Sequence, residues 1–87
     1  MTAPSSDTIQ ASILGLTTAR GPNKSICPSE VARSLEPERW QSLMTPIRQA
    51  AIVLAKAGRI DILRKGRPVE PEAVRGVIRL RIKAGAE

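Results

Sequence analysis

The stretch Thr45-Pro46-Ile47-Arg48-Gln49-Ala50-Ala51-Ile52-Val53-Leu54-Ala55-Lys56-Ala57-Gly58, followed by Arg59-Ile60-Asp61-Ile62-Leu63-Arg64, changes its hydrophobic period halfway along. Ile47, Ala51 and Leu54 recur at helical spacing, with Ala50 and Ala57 beside them. Thr45 suits the N-cap and Pro46 the first helical position, where a missing N–H costs nothing. Gly58 stops the helix, and Lys56 in its last turn favours the negative end of the dipole. Beyond Gly58 the period becomes two, and Lys65-Gly66-Arg67-Pro68 is a turn signal. The pattern therefore predicts a helix over residues 45–57 that leads directly into a strand over 60–64.

Downstream, Val77 to Lys83 predicts a partner strand. Ile78, Leu80 and Ile82 alternate with Arg79, Arg81 and Lys83, which places one face in the core and makes the other cationic. Pro71-Glu72-Ala73-Val74 reads as one helical turn in the loop between the strands. Upstream, Pro37-Glu38-Arg39-Trp40 starts a short helical turn with Trp40 and Leu43 on one side. Trp40 is the only aromatic residue and is read as a core anchor.

A second helix opens with Cys27 at the N-cap, Pro28 at the first position and Glu30 at the third, where a carboxylate can reach the cap N–H. Ile26 and Val31 are spaced as a hydrophobic staple, Val31, Ala32 and Leu35 form the inner face, and Pro37 ends the helix. Arg33 is read as pairing with Glu30 or Glu36 on the helix surface. The first helix is expected to be capped by Asp7, with Gln10 completing a box and Ile9, Ile13 and Leu16 as its stripe. Gly21-Pro22-Asn23 stops it.

The chain has 87 residues, enough for one small domain, expected over 7–83 with a disordered tail at 1–6 and a frayed one at 84–87. The opening Met1–Asp7 has neither a basic start nor an apolar run, and no apolar stretch is long enough to cross a bilayer, so a cytoplasmic protein without membrane attachment is expected. Absence of His and a single Cys exclude a zinc cluster within the chain and histidine acid–base chemistry. No glycine-rich phosphate cradle, carboxylate pair or activated nucleophile is spaced for catalysis. The expectation is a non-enzyme with no cofactor and no metal.

Charge separates the two halves. Residues 1–43 carry Arg20, Lys24, Arg33 and Arg39 against Asp7, Glu30, Glu36 and Glu38, whereas residues 44–87 hold the whole net +6. Such asymmetry points to a polyanionic partner for the basic half. A plainly solvated surface is the simpler account, and cations on a strand face also guard against edge pairing. Neither explains why Arg64, Lys65 and Arg67 gather at the predicted turn.

Helix, short helix, turn, helix and a basic two-stranded antiparallel wing make an α+β chain that resembles a winged helix–turn–helix domain. The resemblance implies a recognition helix at 45–57 and a wing at 60–83, the helix entering the major groove of double-stranded DNA. It assigns base contacts to Arg48, Gln49 and Ile52, with Lys56 on the same arc, and places Arg64, Lys65 and Arg67 at the wing tip; the cationic strand residues Arg79, Arg81 and Lys83 are expected to track phosphates with them. Ile52 and Val53 also suit a protein contact, so a protein-interaction or self-association module is the competing expectation.

Arg20-Gly21-Pro22, Cys27-Pro28-Ser29-Glu30-Val31-Ala32-Arg33, Trp40 with Met44, Arg48 with Ala51 and Leu54, Gly58-Arg59-Ile60, Lys65-Gly66 and Arg75-Gly76-Val77-Ile78-Arg79-Leu80-Arg81 carry a second likeness. With them the chain resembles a bacterial family of small proteins known only as a domain of unknown function. Such sequences commonly have Pro where this one has Val77. This likeness implies the winged-helix fold and no particular activity.

Overall fold

Helix α1 (Ser6–Arg20) starts two residues earlier than the charge pattern suggests. Ser5, not Asp7, is its N-cap, with its hydroxyl accepting the Thr8 N–H at 3.2 Å. Asp7 sits instead in the first turn, where its charge suits the dipole. Ile9 and Ile13 are buried as expected, but the third core position is Thr17 and Leu16 is only half-buried. The fully enclosed Thr17 hydroxyl donates to the Ile13 carbonyl at 2.7 Å, so a polar side chain fills an apolar position without an unsatisfied group. The computed structural model describes residues 4–83; residues 1–3 of the expected first tail and the whole of the expected second one, residues 84–87, lie outside them.

Helix α2 (Pro28–Leu35) follows its sequence grammar. Cys27 is the N-cap, Pro28 the first helical residue, and the Glu30 carboxylate accepts the Cys27 N–H at 2.9 Å. Ile26, Val31 and Ala32 are buried. Arg33 does not pair with either expected glutamate: its guanidinium lies 4.6 Å from the centroid of the Trp40 ring. Trp40 itself is half-buried, packed against the core from the side.

Residues Trp40–Leu43 form a 3-10 turn that runs without interruption into helix α3 (Met44–Lys56). Thr45 is therefore not the N-cap, and Pro46 is the third helical residue rather than the first. This is tolerated because the first four N–H groups of a helix have no intrahelical acceptor, so proline removes no bond there. Ile47, Ala50, Ala51 and Leu54 face inward, whereas Ala57 is exposed. Gly58 at φ 76 turns the chain, with the Arg59 N–H donating back to the Leu54 carbonyl at 3.0 Å.

The strands form one antiparallel sheet in the order β2-β1-β3, built from β1 (Ile60–Arg64), β2 (Arg67–Pro68) and β3 (Arg79–Ile82). The expected two-stranded wing is thus three-stranded. Chain leaving β1 folds back at once as β2, and then crosses through a 3-10 turn (Pro71–Ala73) to pair β3 with the opposite edge of β1. Val77 and Ile78 precede β3, which is shorter than its alternating pattern implied. A further bridge joins Ile26 to Leu80, each donating its N–H to the other's carbonyl at 2.8 Å. Three helices and this sheet enclose a core of Ile9, Ile13, Ile26, Val31, Ile47, Ile60, Ile62, Ile78 and Leu80, an arrangement compatible with a winged-helix-like domain.

Lys65-Gly66 is the two-residue turn between β1 and β2, with Arg64 opposite Arg67. Both turn residues have positive φ, 54 and 80, the combination a type I′ hairpin requires. Gly66 adopts it freely, but Lys65 is strained by its Cβ. Lys65→Asn, which keeps a side chain tolerant of this conformation, should stabilise the fold by about 1 kcal/mol. A urea midpoint that stays level or falls would show that the strain is absent.

Candidate functional site

The cations expected at the site fall into three groups. Arg64, Lys65 and Arg67 stand exposed on the β1–β2 turn, with no acidic partner among the described residues. A tight turn cannot bury long side chains, so the two-residue loop fixes these three charges outward.

On the outer face of the sheet the charges are partly balanced. Arg81 lies across the ladder from Asp61 and donates to its carboxylate at 3.2 Å, and Lys83 approaches the same group at 4.0 Å. Arg79 is held by Ser25: its Nε donates to the Ser25 hydroxyl at 2.6 Å and its Nη2 to the Ser25 carbonyl at 3.0 Å. The alternating cationic face predicted for this strand is thus one that Asp61 and Ser25 engage from neighbouring segments.

Helix α3 presents a third arrangement. Arg48, Ile52 and Lys56 are successive residues on one line of the helix, and the 69–78 loop lies along it. Arg48 Nη2 donates to the Gly76 carbonyl, and Lys56 pairs with Glu72 at 3.5 Å. Ile52, between them, and Val74, between Glu72 and Gly76, are both half-buried against the core. Thr45, Gln49 and Val53 form the neighbouring exposed line, with Val53 51% exposed. Of the three residues expected to read bases, only Gln49 is therefore fully open. Ile52 and Val53 therefore do not form one exposed pair: the loop covers Ile52 and leaves Val53 open.

Gly76 is where helix and turn meet. Its carbonyl takes the Arg48 guanidinium, and Arg64 Nε is 3.9 Å from the position a Cβ on Gly76 would occupy. The start of α3 and the tip of the β1–β2 turn are consequently neighbours, which places Arg48 and Arg64 together. Arg79, Arg81 and Lys83 lie on the outer sheet face with Asp61 and Leu63.

The N-terminus of α2 offers little room for an anion, because the Glu30 carboxylate already takes the Cys27 N–H and the Ser29 hydroxyl donates to the Cys27 sulfur at 3.0 Å. Glu30 is also paired with Arg20 at 2.7 Å. Among the described residues no cluster of Cys, Asp and Glu side chains could hold a metal ion, and no helix is long and apolar enough to cross a membrane.

Arg48→Ala should lower stability by about 1 kcal/mol, through loss of its bond to Gly76. Amide hydrogen exchange should accelerate over residues 74–78 and remain unchanged in α1 and α2. Uniform acceleration, or none, would mean that Arg48 does not hold the loop.

Residues 6–83 match the family described as Protein of unknown function (DUF3253), and the chain belongs to that family. No curated protein matches the chain.

Proposed function

We propose that this chain is a winged-helix protein that binds double-stranded DNA, in a regulatory or architectural role. The observation that carries this reading is the meeting of Arg48 and Arg64 at Gly76, since it sets the start of α3 beside the unpaired cations of the β1–β2 turn. A helix lying in the major groove would then bring Arg64, Lys65 and Arg67 against the adjacent phosphates, while Gln49 faces base edges. An amide suits adenine, and Val53 rather than the half-buried Ile52 is the side chain open to a thymine methyl. Arg48 has one guanidinium hydrogen on the Gly76 carbonyl and four others with which to meet a guanine. Lys56, Arg79, Arg81 and Lys83 contribute to the field that draws the duplex in.

Titration of labelled duplex DNA at ~50 and ~200 mM salt should show a steep loss of affinity. Lys65→Ala with Arg67→Ala should weaken all sequences equally and flatten the logarithmic salt slope by about 2, whereas Gln49→Ala should weaken some sequences more than others. Absence of binding at the lower salt would end this reading.

The half-exposed Val53 favours a second reading, in which the same line of α3 pairs with another copy of the chain. Val53→Asp should then halve the mass measured by light scattering; a mass that is monomeric in both proteins would exclude it.

A further inference from the structure

We propose that the outer face of the sheet carries a binding site for a small amphiphilic carboxylate, a molecule with one anionic head and a short apolar body. Leu63, opposite Arg79 in the β1–β3 ladder and opposite Pro68 in the β1–β2 ladder, points away from the main core and yet is nearly buried. Beside it lies an open cavity of about 490 Å³, lined by Ser25, Leu63, Arg64, Lys65, Val77 and Arg79 among others. Cavities of about 300–1,000 Å³ are the size that holds small molecules. Its apolar surface comes from Leu63, from the aliphatic stems of the cations, and from Val77, which is 85% exposed among the described residues.

Charge decides the head group. Arg64, Lys65 and Arg79 line the cavity, and among the described residues no carboxylate does. Arg79 is preorganised, because Ser25 fixes its Nε and one Nη2 hydrogen through two bonds and leaves the other guanidinium hydrogens free for an acceptor. A neutral ligand would leave three cations facing apolar surface, and a bare inorganic anion would leave Val77 and Leu63 uncovered. A monocarboxylate with a short chain satisfies both: its head takes the guanidinium and ammonium donors and its body covers the valine and leucine. The cavity and its cations are features of the sheet face whether or not duplex DNA is bound, so the site does not depend on the DNA reading.

The test uses the full chain, labelled for two-dimensional NMR, titrated with hexanoate, 1-hexanol and acetate in turn at constant ionic strength. Hexanoate should produce saturable shifts at the Leu63 and Val77 methyls and at Arg79 Nε, with a dissociation constant of about 1 mM, as eight or so heavy atoms allow. Hexanol and acetate should each bind about tenfold more weakly, since each supplies only half of the interaction. Val77→Asp, an exposed position outside every strand, should abolish the saturable shifts while the remaining spectrum stays that of the folded protein. Arg64→Met, which keeps an apolar stem and removes the charge, should weaken hexanoate severalfold and leave hexanol unaffected. No saturable response to hexanoate, an equal response to acetate, or undiminished binding by Val77→Asp would each overturn the proposal.

Discussion

The paired hydrogen bonds between Ile26 and Leu80 are the constraint on which the rest of the molecule depends. Helices and sheet are consecutive halves of the chain, and each has an apolar face too narrow to be buried alone. The bridge joins the segment between α1 and α2 to the last strand, so the sheet is closed onto the helices from both ends of the sequence. Leu80 is wholly enclosed, and its N–H and carbonyl would have no partner there without Ile26. The same bridge sets Ser25 beside Arg79, and thereby orients a side chain of the outer face. One long-range contact thus serves the core and the surface together.

What was legible in the sequence was whatever depended on neighbours along the chain. The start of α2 can be read at Cys27-Pro28-Ser29-Glu30 because a capping box is complete within four residues. The inner stripes of α3 and β1 follow from spacing alone. Three features escaped for one shared reason, that the deciding partner is remote or of an unexpected kind. Thr17 enters the core because the Ile13 carbonyl accepts its hydroxyl, which a hydrophobic pattern does not register. Pro46 looks like a first helical residue until Trp40–Leu43 is seen to supply the preceding turn. Strand β2 contains a proline and consists of two residues, so only its pairing with Leu63 and Arg64 identifies it. At the site, the cations themselves were evident, but their partners Asp61, Ser25, Glu72 and Gly76 were not.

Partnering sorts the basic residues more finely than their number does. Arg81, Lys83 and Lys56 face carboxylates, Arg79 and Arg48 face neutral oxygens, and Arg64, Lys65 and Arg67 face water. The sheet edges follow a related logic. Ile26 covers the outer side of β3, while on the far side β2 ends in Arg67 and Pro68, a charge and a residue without an N–H. Both edges are thereby interrupted as templates for another strand.

Trp40 is the sole aromatic side chain in the protein, and the guanidinium of Arg33 lies against its ring. All of the ultraviolet absorbance above the peptide bands, and all intrinsic fluorescence, therefore arise from one indole where α2 gives way to α3. The molecule carries a native optical probe of that corner, and its emission colour and lifetime register the unstacking of a single cation from a single ring.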